Sequence, residues 1–318
     1  MRKLLASAIV TAALVFASGA SAQPLGIGTS PQGTMVYTLG AAVSKALADS
    51  AGIQSRVQPS SGTGTMVPLV NSGEIDIGFC NTLEFYDSFH GVGSSAKRPN
   101  PNLRAMAVLF PIQVALLVRN DSPIKSIKDI RGKTISYGYA SQEVIKTLVD
   151  GMLANAGMTV ADVRPVLVPN LIRGVDELMS GRVEVSFFAL GQAKVAEADA
   201  SVGVRFLPVE TDPAAVAAMK KVVRTVYVGK ATPAPHLPGV RAPIAVAQYD
   251  YVAFANAKLP ADRVKTIVGV LADKHDAMSA TLPLFKRFDV NRMYSDIGAP
   301  YHDGALAYFR EKGIKEAK

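Results

Sequence analysis

Two stretches of the chain, LVNSGEIDIGF at 69–79 and LMSGRVEVSFF at 178–188, follow one order: an apolar helix end, a Ser-Gly stop, an acidic entry and a strand. The glycines, Gly73 and Gly181, sit roughly 110 residues apart, and so do two earlier loops near Gly28 and Gly138. A glycine after the last apolar helix position is a natural left-handed helix stop. The period is too long for a solenoid, whose repeats run about 20–50 residues. It predicts two similar lobes instead.

Each lobe reads as alternating strands and helices. In the first, PLGIG is short and apolar, and Met35, Val36, Leu39, Val43, Ala46 and Leu47 fall on one helical face that stops at Gly52. IQSRVQP is extended, SSGTGT leads into a second helix, and IDIGFC is a strand. In the second lobe, DIRGKTISYGYASQEVIKTLVDGMLANAG reads as helix end, strand, loop and helix, followed by the extended RPVLVPN. This alternation predicts an α/β layer with parallel strands. The apolar run AMAVLFPIQVALLVRN, 105–120, reads as a strand crossing between lobes, and GVRFLPVE, 203–210, as the segment carrying the chain back. The expected division is 23–112 plus 212–318 for lobe I and 113–211 for lobe II, with a cleft between them.

The first residues carry their own signal. Arg2 and Lys3 precede the apolar stretch Leu4 to Phe16, which ends at the small-x-small pattern Ala20-Ser21-Ala22. That order predicts a secretory signal peptide over residues 1–22, cleaved after Ala22. A formal net charge of +8 falls to +6 once Arg2 and Lys3 are removed. The basic residues are scattered among acids, which argues against nucleic-acid binding. Cys80 is the only cysteine, so no intrachain disulfide can form, and its place after an apolar strand reads as a buried thiol.

The stretch GIGTSPQGTMVYTLG has the glycine spacing of a phosphate loop at Gly28 and Gly33. The residues after Gly33 are Thr34 and Met35, so the lysine and hydroxyl that hold phosphate and magnesium are missing. Catalytic signals are equally thin. The four histidines, His90, His236, His275 and His302, lack metal-site spacing, and no nucleophile elbow is present. No metal, cofactor or catalytic residue is expected. His302-Asp303 reads as the cap of a closing helix. What remains is three loops, Thr29 to Thr34, Ser60 to Thr65 and Tyr139 to Gln142, each before a helix at the carboxyl end of a strand. Free N–H groups at such helix starts suit an anion, and small residues let a ligand approach.

Taken together, GIGTSPQGTMVYTLGAAVSKAL, SSGTGTMVPLVNSGEIDIGFCNTLEFYDSFHG, LRAMAVLFPIQVALLVRNDSPIKSIKDIRGKTIS, LMSGRVEVSFFALG and PYHDGALAYFREKGI resemble the TAXI family. These are solute receptors of TRAP (tripartite ATP-independent periplasmic) transporters. The resemblance implies a periplasmic-binding-protein type II fold in a monomeric periplasmic receptor. Such a protein captures a small, carboxylate-bearing anionic solute and delivers it to TRAP membrane subunits. Carried over by position, Thr29, Gly33 and Tyr37 match the first binding loop; Ser60, Ser61, Gly62 and Thr63 the second; Asn81 and Thr82 the third. Ser141 matches the small-residue loop of lobe II, and Ala189 to Gly191 its last strand end. Ser30, Pro31, Gln32 and Val36 depart from the family's first loop, so that loop does not fix the solute. Arg173, near a helix start, is the candidate carboxylate clamp, against the plainer reading of a solvated helix arginine. The rival readings are a secreted hydrolase or lyase, and a receptor feeding an ATP-driven permease or a sensor kinase.

Overall fold

The computed structural model describes residues 23–32, 34–140 and 143–317. The expected signal peptide at 1–22 lies outside the described residues, as do Gly33 and Ser141. The chain opens with β1 (Leu25–Thr29), α1 (Met35–Ala51), β2 (Ser55–Pro59), α2 (Thr63–Ser72), β3 (Ile77–Asn81) and α3 (Thr82–His90). The long β4 (Leu103–Arg119) follows, then β5 (Thr134–Gly138), α4 (Glu143–Asn155), β6 (Arg164–Val168), α5 (Leu171–Met179), β7 (Val185–Ala189) and α6 (Ala193–Val202). The remainder is β8 (Val204–Phe206), α7 (Pro213–Val222), β9 (Tyr227–Ala231), β10 (Ile244–Asn256), α8 (Ala261–Asp273), α9 (His275–Met278) and α10 (Asp303–Lys312).

The repeat seen in the sequence is a repeat of topology. β1 pairs in parallel with β2 and β3, and β5 pairs in parallel with β6 and β7. The central registers match as well, with Ile27 opposite Ile77 in one set and Ile135 opposite Val185 in the other. Both Ser-Gly stops work as read: Gly73 (φ 88°) and Gly181 (φ 78°) take the left-handed conformation that a side chain disfavours. The stretch read as a crossing strand is β4, seventeen residues long. Its first part pairs antiparallel with β10, and its last part pairs antiparallel with β7 and β8. The strand order β2-β1-β3-β10-β4-β7-β5-β6 therefore runs through both halves.

The return crossing differs from the expectation. Residues 203–210 supply only the three-residue β8, beside β4. α7, assigned from sequence to lobe I, packs instead on α4 of the second half. The chain comes back along β10, whose Ala247 to Asp250 lie opposite Val114 to Pro111. A three-residue strand is too short to bridge two lobes, whereas β10 has thirteen residues, about 43 Å of extended chain. Pro111 sits next to a register shift in that pairing, where a missing N–H is tolerated.

One apolar core joins the halves: Ile27 and Phe79, Val108 and Val114, and Ile135 and Leu148 belong to the same buried cluster. α8 packs on α1, α10 and β4, so the C-terminal helices cover the first half. Cys80 is buried on β3, and burial pushes its thiol pKa up, as expected of a structural cysteine. His302 caps α10 by accepting the Gly304 N–H on Nδ1. Among the described residues no helix is long and apolar enough to cross a membrane.

Candidate functional site

The topology brings the lobe I loops together at the carboxyl ends of β1, β2 and β3. Thr29 ends β1 and is fully buried; its backbone oxygen accepts from Ser60 N (2.9 Å) and Ser60 Oγ (3.0 Å). Ser60 Oγ also reaches Gly62 O, and Ser61 Oγ pairs with Thr65 Oγ1 at 2.8 Å, so these hydroxyls shape their own loop. Gly62 caps α2 with no side chain, and a Cβ there would meet nothing within 4 Å. Tyr37 lies in the first turn of α1, whose cap Thr34 accepts its N–H at 3.2 Å. Two hydroxyls in this cluster, Thr29 Oγ1 and Thr82 Oγ1, are fully covered and have no hydrogen-bond partner among the described residues.

Asn81 and Glu84 form the most tightly tied part of the cluster. Asn81 Oδ1 accepts the Glu84 N–H at 2.8 Å, and Asn81 Nδ2 donates to Glu84 Oε2 at 2.6 Å. Thr63 Oγ1 adds a long contact to the same oxygen, at 3.4 Å. Desolvation raises the Glu84 pKa to about 7; the bonds from Thr63 and Asn81 oppose the rise, and the nearby Asp87 adds to it. Near neutral pH this carboxyl is divided between its two protonation states. The sequence carried a signal for it, because Asn81-Thr82-Leu83-Glu84 is a cap followed three residues later by an acid.

The lobe II positions lie at the other end of the crossing strands. Ala189 ends β7 opposite Val114, and Leu190 N donates to Gln113 O at 2.9 Å. Asn81 lies opposite Tyr251, so the β10 segment from Tyr251 to Ala247 offsets the two loop sets by about 13 Å along the strands, and the order β3-β10-β4-β7 sets them three strands, about 14 Å, apart across the sheet. That gap suits a small molecule. Gly191 (φ 76°) packs against Leu237 and the carbonyl of His236. Arg173 does not reach toward this gap as an unpaired cation. Its guanidinium bonds Glu177 at 2.8 Å and Asp176 at 3.9 Å, both on its own helix α5.

A cavity of about 260 Å³ opens beside the crossing strands. Gln113 and Gln248, which are register partners, form one wall; Lys230, Thr232, His236 and Leu237 form another; Arg287 closes it. Arg287 Nη2 donates to Gln113 Oε1 at 2.9 Å, and Gln113 Nε2 donates to Lys230 O at 3.0 Å. Desolvation pulls the Arg287 pKa below its ordinary value, although a guanidinium stays charged at neutral pH. Among the described residues no carboxylate lies within ion-pair distance of Arg287, Lys230 or His236. No local pattern points to Arg287, because it meets Gln113 across 174 residues. A larger open groove of about 480 Å³ follows the proline-rich loop Pro233 to Arg241, but its charged members, Arg241 and Asp199, neutralise each other.

Solved structures share this architecture. The periplasmic aliphatic sulphonate binding protein SsuA from Escherichia coli matches at TM-score 0.51 and 14% identity, over 92% of this chain and 89% of that one. PhnD1 from Prochlorococcus marinus, solved with methylphosphonate, matches at TM-score 0.55 and 12% identity, over 92% and 98%. The alkanesulfonate-binding protein SsuA from Xanthomonas axonopodis pv. citri, bound to MOPS, matches at 0.50 and 13%, over 82% and 78%. At these identities the likeness is one of fold, the two-lobe type II fold of periplasmic binding proteins. The family model described as the NMT1-like family matches residues 27–313, and on that match the chain belongs to the NMT1-like family.

Proposed function

We propose that this protein is a periplasmic solute receptor whose lobes, I and II, close on a small anionic organic solute. It then delivers that solute to the membrane subunits of a TRAP transporter. The observation that carries the reading is topological. Loops at the carboxyl ends of β1, β2 and β3 face the loop after β7 across about 13 Å measured along the crossing strands. The resemblance to the TAXI motifs supports the TRAP assignment. Lobe I in this reading holds residues 23–112 and the chain after β10 enters it; lobe II holds the segment from 113 through β9. Closure is a hinge at Gln113 and Gln248. Thr29, Ser60, Thr63, Asn81, Thr82 and Gly191 remain the proposed contacts; Gly33 and Ser141, which lie outside the described residues, are proposed with them. The receptor has no catalytic role.

A thermal-shift screen tests the receptor reading. Residues 23–318 are refolded to remove carried ligand and exposed to dicarboxylates, 2-oxo acids, amino acids, sulfonates and phosphonates. A ligand at a hundred times its Kd adds about 2.7 kcal/mol of stability. No shift across the panel, with no small molecule released from the unstripped protein, would sink it. Uptake in vesicles carrying the membrane subunits separates the transporter classes: uptake driven by an ion gradient without ATP supports TRAP delivery, and dependence on ATP rejects it.

A further inference from the structure

We infer that the cavity beside the crossing strands is the subsite for an oxyanion head of the solute, a carboxylate, sulfonate or phosphonate, with Arg287 as its counter-charge. The inference rests on the receptor reading and adds where the anion is held. Arg287 is half-buried, carries a full positive charge and, among the described residues, hydrogen-bonds only the neutral amide of Gln113. A desolvated charge without a counter-ion is costly, and an oxyanion in the adjoining 260 Å³ is the group that relieves it. The planar guanidinium offers paired N–H donors to two oxygens of one head. Lys230 and His236 bring further donors from the chain around β9, and Gln113 and Gln248 bring amides from both crossing strands. The subsite draws on three parts of the chain: the 3-10 segment Pro283–Arg287, the crossing strands and the loop after β9. Its walls also meet the lobe II loop, since Leu237 and His236 pack on Gly191. An anion here would tie the first half to the second at the hinge, which favours the closed arrangement.

The test is calorimetric titration of the refolded chain with succinate, 2-oxoglutarate, ethanesulfonate and methylphosphonate, with succinamide as the neutral control. The expected result is that at least one anion binds and succinamide does not, and that the preferred head identifies the oxyanion class. Arg287→Gln then weakens that anion at least tenfold while the unliganded Tm moves by no more than a few degrees, and Arg287→Lys falls between. Should Arg287→Gln fail to fold, Lys230→Gln, on an exposed side chain, carries the test by weakening the same anion severalfold. Two outcomes overturn the inference and leave the receptor standing. In one, an anion binds wild type and Arg287→Gln equally; in the other, only neutral or cationic solutes stabilise the protein in the wider screen. Binding of nothing in either assay overturns the receptor reading as well.

Discussion

Asp76 in the first half and Glu184 in the second stand at the same place in the repeat, and each receives a backbone N–H from the first strand of its own set. Gly26 N donates to Asp76 at 2.7 Å, and Thr134 N donates to Glu184 at 3.1 Å. The surroundings differ. Glu184 is 39% exposed and shared between Lys133 (3.0 Å) and Arg164 (3.8 Å). Asp76 holds the N–H of a strand whose residues are all buried. Asp76 and Glu184 are both half-buried, so the difference lies in their partners. The same pattern of strands therefore carries a different set of carboxylate partners in each half. The loops differ in charge too. Lobe I places Glu84 three residues beyond its strand end, where lobe II has the neutral Gln192.

The largest expected effect probes where the likeness holds. Ile27→Ala and Ile135→Ala each remove a fully buried side chain from the first strand of a lobe. Each should cost about 2–5 kcal/mol, in a single denaturant transition, because both residues belong to one continuous core. A biphasic curve for either variant would show that the lobes unfold separately, and the shared core would lose its meaning.

Next comes the charge difference between the loops. Below about pH 4.5 Glu84 is protonated in both folded and unfolded chains and contributes no pH dependence. Between that pH and about 7 the unfolded chain releases its proton while the folded one keeps it, so stability falls as pH rises and levels off above 7. The drop is at most about 3 kcal/mol. Subtracting the pH profile of Glu84→Gln from that of wild type should isolate it, whereas Gln192→Leu should leave the slope intact. An anionic solute held near Glu84 should also bind less tightly above pH 7, where the carboxylate repels it, and Glu84→Gln should lose less affinity than wild type between pH 6 and 8. Parallel stability profiles would mean that solvent reaches Glu84 well enough to keep its ordinary pKa.

Asp76→Ala and Glu184→Ala come third. A hydrogen bond to a charged group is worth about 1.5–3 kcal/mol, and the bond to half-buried Asp76, at 2.7 Å, is the shorter of the two, so Asp76→Ala should cost about 2 kcal/mol. Glu184 is solvated and its ion pairs are screened, so Glu184→Ala should cost about 1 kcal/mol or less. Chemical denaturation of both variants orders them. Equal losses would mean that the shorter bond to Asp76 does not make a stronger carboxylate tie.

Much of this was legible before the structure. The repeat, the Ser-Gly stops, β4, the buried Cys80 and the His302 cap all follow from local patterns: periodicity, glycine placement and capping residues. The return crossing was placed at 203–210 because that stretch is extended and apolar at its core, while β10, the long strand that comes back, follows a proline-rich loop and carries no local mark of a crossing. The site was legible only in part. Strand ends followed by small residues located the lobe I loops, yet the hydroxyls of Ser60 and Ser61 turned out to hold the loop itself. Arg173 had the right chemistry but its partners, Asp176 and Glu177, were three and four residues away, within reach on any helix. Arg287 lies in a 3-10 turn with no periodicity, and only the tertiary fold sets it against Gln113.

The smallest effect concerns which helices the two lobes cap. Lobe I caps α3 with the side chain of Asn81 and begins α2 at Gly62, without one. Lobe II reverses this: Asn170 caps α5 by accepting the Arg173 N–H at 2.9 Å, and Gln192 leaves α6 without a side-chain cap. A bare helix start keeps free N–H groups for a ligand, whereas a capped one has spent one of them on the protein. Asn170→Ala should therefore cost about 1 kcal/mol of stability and leave anion affinity unchanged, and Gln192→Ala should cost almost nothing. If Asn170→Ala instead weakens an anion without lowering Tm, then α5 rather than α6 presents lobe II to the solute. The proposed lobe II contacts would then shift from Gly191 toward Asn170 and Arg173.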